Sequence, residues 1–258
     1  EGRGFEEGYL HLDLRHLGKE IIMDRLPGIR QISIDFAGID PIQDRIPIQP
    51  AQHYSMGGID TNLDGETSLP GLHAAGECAC VSVHGANRLG GNSLLEAIVF
   101  GARAGKKASQ DNGKEKRPPN QSVFQENLKA IHSKLEVLFE RPREEPCFRL
   151  RDELKTLMTS QVGIFRKESD LLSAKKEIKE LKERLNHVGV KQKDIAFNYE
   201  FIQYLELEGM LHVAEVIAEG ALPRKESRGS HFRLDYPHRD DEHWLRHTMA
   251  YKTPEGPR

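Results

Sequence analysis

The sequence predicts an α+β protein, and three observations predict it. Between Gly57 and Gly105 glycines crowd around short apolar runs, the pattern of strands that end in loops. Beyond Asn120 apolar residues recur at three- and four-residue spacing with Lys and Glu between them, the pattern of amphipathic helices. Before both, Pro41, Pro47 and Pro50 interleave with Ile42, Ile46 and Ile48, which holds the backbone extended and works against helix.

In chain order, the first region covers residues 1–50. Leu17 to Leu26 has apolar residues at helical spacing and is stopped by Pro27 and Gly28, a second short helix is expected over Ile29 to Phe36, and the proline-rich stretch reads as a connector. The second region covers 51–108. Gly71 to Glu77 reads as a buried strand running into a Gly-Glu turn, and Ser93 and Glu96 have the spacing of a capping box. A helix is therefore expected from there to about Lys107, with Leu94, Leu95, Ile98, Val99 and Ala102 on its core side. Residues 109–120 have almost no apolar surface to bury and read as a linker.

A helical bundle is expected over 121–222. Its stripes are Phe124, Leu128, Ile131, Leu135 and Leu138, then Leu150, Leu154, Leu157 and Met158, then Leu171, Ala174, Ile178, Leu181, Leu185 and Val188. Barely three heptad-like repeats suit a bundle member better than an independent coiled coil. The last helix is expected from about Ala196 to Gly220, stopped by Pro223, and 223–258 form a tail rich in Arg, Asp and His.

Composition narrows the function. The formal net charge of -3 over 258 residues argues against a nucleic-acid surface. No run approaches the roughly 20 apolar residues of a membrane-spanning helix. Three cysteines, Cys78, Cys80 and Cys147, are too few and too odd for a disulfide framework, and no second Cys or His pair completes a zinc site. There is no G-x-G-x-x-G fingerprint and no Walker loop. The chain starts at Glu1 without a signal or transit pattern, so a fragment or processed piece is expected.

Three clusters can carry chemistry. His53 precedes the pair Gly57 and Gly58, which lets another group approach the backbone closely; a histidine beside glycines is also commonly structural. Arg88 lies in a small-residue loop, His84 to Gly91, directly before a helix start. A guanidinium fork and a helix N-terminus together suit an anionic ligand, although Asn-Arg in such a loop equally makes a hydrogen-bonded turn. Glu77, after Gly76, suits the hydroxyls of a ribose or stands as a surface carboxylate.

These residues, His53 to Gly58 followed by Pro70 to Leu95, closely resemble the flavoprotein subunit of succinate dehydrogenase and fumarate reductase. Arg224 to His231 and Asp235 to His247 are similar to the segment after that family's helical domain. The resemblance implies the end of a capping domain, a partial FAD-binding α/β domain and a C-terminal helical bundle. It makes His53 and Arg88 substrate-carboxylate ligands, Glu77 a contact of the FAD ribose, and Ser93 with Leu94 the helix start beneath the flavin's pyrimidine edge. It implies FAD as cofactor, a small dicarboxylate as substrate and succinate oxidation as the reaction. An iron–sulfur subunit would take the electrons, with membrane anchor subunits as indirect partners. The family sits on the cytoplasmic face of the inner membrane or the mitochondrial matrix side. The glycine fingerprint, the flavin-linking histidine and the proton-shuttling arginine would lie upstream of Glu1, so no catalytic residue is expected in this chain, Arg3 included. Two alternatives stay open: a non-catalytic interaction module or split-subunit half, and a fumarate reductase or L-aspartate oxidase piece.

Overall fold

The computed structural model describes residues 4, 8–111, 120–254 and 256–258. It divides into two units, Glu1–Ser55 and Met56–Arg258. Helices dominate, and among the described residues four small two-stranded sheets accompany them, as the α+β reading anticipates.

In the first unit, β1 (Leu10–Leu12) pairs antiparallel with β2 (Ile46–Ile48), His11 facing Pro47. The stretch expected as a connector thus contains a short strand, which a proline can join because it has a free edge. Between the strands lie α1 (Gly18–Arg25) and α2 (Pro27–Ala37). Pro27 does end α1, and it also opens α2 two residues before the expected start, at the position where a missing N–H is harmless. Gly38, at φ +68°, closes α2 with its N–H on the carbonyls of Ile34 and Ser33. Arg30 forks onto Asp40 at 3.0 and 2.6 Å and holds that carboxyl below its ordinary pKa.

The second unit opens with β3 (Ile59–Asp60) parallel to β4 (Ala79–Cys80). Gly58 sits at φ +143°, where a Cβ would fall 2.4 Å from the Cys78 carbonyl oxygen, so only glycine lets these backbones meet. The strand expected over Gly71 to Glu77 is not formed. Gly71 and Gly76 adopt left-handed φ and bend the chain, Ala74 donates its N–H back to the Gly65 carbonyl, and one bridge, His73 to Glu66, is all the pairing it makes among the described residues.

Helix α3 (Asn92–Asp111) runs into the stretch expected as a linker, of which 112–119 lie outside the described residues. Its expected core side is exposed, Leu94 at 72 % and Ile98 at 68 %. The covered side is instead Glu96 and Ala104, with Arg103 reaching the Leu63 carbonyl at 2.6 Å and Asp64 at 2.9 Å. Periodicity marks an apolar stripe but not what lies against it.

Then come α4 (Gln121–Glu140), α5 (Cys147–Gln161), β5 (Phe165–Arg166), α6 (Glu168–Arg184) and α7 (Tyr199–Ala221). Their shared core contains Leu150, Leu154, Leu157, Leu171, Ala174, Ile178, Leu181 and Val188 at the expected positions, closed by Leu207, Leu211, Ala214 and Ala218 of α7. Of the α4 stripe only Leu138 is fully buried, while Phe124 and Ile131 are exposed. Helix α7 starts three residues later than expected because Asn198 caps it: its Oδ1 accepts the Phe201 N–H at 2.9 Å while its Nδ2 donates to the Gln192 and Asp194 carbonyls. The tail adds β6 (Phe232–Arg233), parallel to β5, then α8 (Asp241–Trp244) and the hairpin of β7 (Lys252–Thr253) with β8 (Gly256–Pro257). No helix among the described residues is long and apolar enough to cross a membrane.

Candidate functional site

Arg88 is carried by the loop that leads from β4 to α3. The loop enters through Ser82, at φ +67°, and turns at Gly85, at φ +57°, so local sequence alone leaves it pliable. Two side-chain contacts fix it. His84 Nε2 lies 2.8 Å from Glu96 Oε2, with the Glu96 side chain only 2 % exposed. The Ala86 carbonyl accepts both the N–H of Ser230, at 3.0 Å, and its hydroxyl, at 2.8 Å. Arg88 itself is half-buried and donates from Nη1 to the Leu89 carbonyl at 3.0 Å. Helix α3 begins at Asn92, so Ser93, expected ahead of the helix as a cap, lies within its first turn, and Glu96 is engaged by His84.

Ahead of α3 the surface is open. A Cβ on Gly90 or Gly91 would meet nothing within 4 Å, and Leu94 is exposed. The N–H groups of Ser93 and Leu94 belong to the first turn, where the helix itself supplies no acceptor and its dipole favours negative charge. Glu77 is an exposed carboxylate in the turn before β4, in the same unit as Arg88, Ser93 and Leu94. His53 is exposed and belongs to the first unit.

A groove of about 410 Å³ lies elsewhere, on the bundle, lined by Lys134, Arg141, Lys182, Tyr204 and His212 among others. Lys134 is bound to Glu208 and Lys182 to Glu215, so these cations are already matched. No three metal-ligating side chains converge among the described residues.

Residue-level reading of the sequence missed the network behind the loop. Glu226 is fully buried and accepts from Arg224 at 2.7 Å, from Arg228 at 2.8 Å and from the Asp240 N–H at 3.0 Å. Burial raises its pKa, but these donors outweigh burial and bring it down to about 2. Next to it the His231 ring lies between Arg166 Nη1, 3.1 Å from Nδ1, and the Arg224 carbonyl, 3.1 Å from Nε2. That pattern assigns the proton to Nε2, and burial lowers the pKa to about 4, with the neighbouring arginines adding to the effect. The available signal was the spacing of Arg224, Glu226 and Arg228, which no rule of periodicity singles out.

Residues 1–94 match the FAD binding domain family and residues 151–258 match the fumarate reductase flavoprotein C-term family. A fumarate reductase flavoprotein subunit of Mycobacterium tuberculosis is 42 % identical over 263 residues, covering 99 % of this chain and 45 % of that protein. A succinate dehydrogenase flavoprotein subunit of Coxiella burnetii is 38 % identical over 263 residues, covering 97 % of this chain and 44 % of the relative. Among solved structures, a quinol-fumarate reductase with menaquinol molecules superposes with a TM-score of 0.92 at 37 % identity, covering 99 % of this chain and 44 % of that one. The chain spans less than half the length of the curated relatives it matches.

Proposed function

Because the chain belongs to the family of fumarate reductase and succinate dehydrogenase flavoprotein subunits, whose cofactor is FAD, we propose that it is part of a flavoprotein that interconverts succinate and fumarate. When bound, FAD supplies the two-electron chemistry that oxidises an unactivated C–C bond or saturates its alkene. The remaining work falls to side chains and backbone of this chain.

The residues in place fit the cofactor. The open surface before α3 leaves room for a planar ring edge, and the Ser93 and Leu94 N–H groups stabilise negative charge there. Glu77, exposed at its turn, accepts hydrogen bonds from ribose hydroxyls. On the substrate, the Arg88 guanidinium offers a carboxylate two parallel hydrogen bonds. A carboxylate held through two parallel bonds has its orientation fixed, which lowers the entropy that the reaction must otherwise lose. No proton-transferring residue is assigned in this chain. Direction follows from the flavin potential and the electron partners, for which we propose an iron–sulfur subunit and, through it, membrane anchor subunits that keep the protein peripheral to the membrane.

The observation that carries the reading is Arg88 in a braced loop that ends at the N-terminus of a 20-residue helix. The test is Arg88→Ala in the full-length flavoprotein within its complex. Turnover with succinate falls by about three powers of ten while flavin absorbance stays at the wild-type level. Wild-type turnover in that variant refutes the assignment.

A further inference from the structure

We propose that Gly229 and Ser230 are positioning residues for the dicarboxylate site: they clamp the loop that bears Arg88 from the far side of the chain. The inference rests on Arg88 being a substrate ligand, as proposed above, and extends it to residues that touch neither substrate nor cofactor.

The contact is specific. Ser230 lies 144 positions from Ala86, and both its N–H and its hydroxyl donate to the one Ala86 carbonyl, two residues before Arg88. Gly229, at φ +58°, packs directly on the same peptide. A Cβ there would come within 2.5 Å of the Ala86 oxygen and 2.8 Å of the Ala86 Cβ, so any side chain at 229 pushes the loop away. The clamp is itself rigid. Arg228 and His231 exchange N–H···O bonds at 2.8 and 3.1 Å around the Gly229–Ser230 turn, the Arg228 side chain is held by Glu226 and Asp241, and the His231 ring is held by Arg166 and Arg224. From the other side Glu96 of α3 holds His84. The loop is thus braced at its first and third residues, and the pliability that Gly85, Gly90 and Gly91 would give it is taken up. A guanidinium that must meet a carboxylate through two parallel bonds tolerates little displacement, and the clamp supplies that constraint.

The experiment is a double-mutant cycle in the full-length flavoprotein within its complex, with Ser230→Ala, Ser230→Thr, Arg88→Ala and the Arg88→Ala/Ser230→Ala pair. Steady-state succinate oxidation gives kcat and KM, and the flavin difference spectrum on titration with malonate gives dicarboxylate affinity where turnover is too low. Ser230→Ala raises KM and the malonate Kd about fivefold, the size of one lost hydrogen bond, with flavin content and Tm unchanged. Ser230→Thr, which keeps the hydroxyl, restores both. In the Arg88→Ala background Ser230→Ala produces no further weakening, because the clamp acts through Arg88. Gly229→Ala weakens binding in the same direction and by more. If Arg88→Ala is severely impaired and Ser230→Ala keeps wild-type KM and Kd, the clamp is refuted while the substrate assignment stands. An equal Ser230→Ala effect in both backgrounds also refutes it. Wild-type behaviour of Arg88→Ala overturns both.

Discussion

Arg233 is the residue whose loss should harm the fold most, and the size of the effect follows from its surroundings. Its side chain is fully buried. Nε and Nη2 fork onto Asp235 at 2.7 Å each, and Nη1 reaches the carbonyls of Ala221 at 3.2 Å and Leu222 at 3.0 Å, which end α7. Asp235 in turn accepts the Glu168 N–H at 2.9 Å, the first residue of α6. One guanidinium therefore closes the C-terminus of one bundle helix and, through its carboxylate partner, the N-terminus of another. Arg233→Ala leaves two helix-end carbonyls and a carboxylate without their charged donor. The guanidinium is fully buried while Asp235 stays 29 % exposed, so its removal costs the unmet hydrogen bonds rather than a stranded buried charge, about 2–3 kcal/mol against a typical domain stability of about 5–15 kcal/mol. Arg233→Lys keeps the charge but not the fork and is expected to lose about half as much. The readout is urea unfolding followed by the fluorescence of Trp244, the only tryptophan, whose ring lies 5.4 Å from the Arg224 guanidinium carbon. Arg233 also holds Asp235 down to about 2. A depressed carboxylate stabilises the fold above the unfolded pKa and loses that contribution as pH falls towards 2, so Arg233→Met should flatten the acid limb. A loss under about 1 kcal/mol in Arg233→Ala would refute the reasoning.

Two further outcomes follow from burial. His231 is held neutral, with a pKa of about 4 against 6.5 unfolded, so the unfolded chain takes up a proton first. Stability is therefore full above pH 6.5 and falls as pH drops towards 4; His231→Gln, which can still accept from Arg166 and donate to the Arg224 carbonyl, should remove most of that slope in urea titrations, and an unchanged slope would contradict the assignment. Burial pushes the Cys147 thiol up to about 11, whereas Cys78 is exposed, so a thiol reagent at neutral pH should label Cys78 within minutes and Cys147 only after unfolding; labelling of native Cys147 would show the core open.

The sequence was legible where one physical cause acted alone. In α6 every stripe position, Leu171, Ala174, Ile178 and Leu181, is buried as its spacing predicts, because the helix lies against two others and has one apolar face to cover. In α3 the same rule points to the other side, since Leu94 and Ile98 form a real stripe that is exposed among the described residues while Glu96 is buried against His84. Asn198 is not legible as a cap from spacing, because a cap that also binds two preceding carbonyls is a property of loop shape. The two-residue strands β5 and β6 carry no period to detect. The proposed site residues, His53, Glu77, Arg88, Ser93 and Leu94, are legible through motif and resemblance. The brace on Arg88 is not, because a hydrogen bond between residues 144 positions apart leaves no trace in local pattern.

The charge density of the tail then acquires a physical role. Residues 224–241 contain no helix longer than one turn and a two-residue strand, so regular backbone hydrogen bonding cannot make them stiff. Exposed ion pairs would not do so either, being worth about 0–1 kcal/mol each. Here the central carboxylate, Glu226, is fully buried and its partners Arg224 and Arg228 are only 13 % and 16 % exposed. At such sites an apolar replacement of matching volume often keeps stability, so the distinctive gift of the ionic version is direction: each guanidinium fork admits one arrangement of its carboxylate. A segment fixed in direction is what a distant loop needs as an abutment. The Gly229–Ser230 turn stands between Arg228 and His231, both members of the network, and delivers its two donors to a single carbonyl. The tail thus carries the order of the bundle to the Arg88 loop.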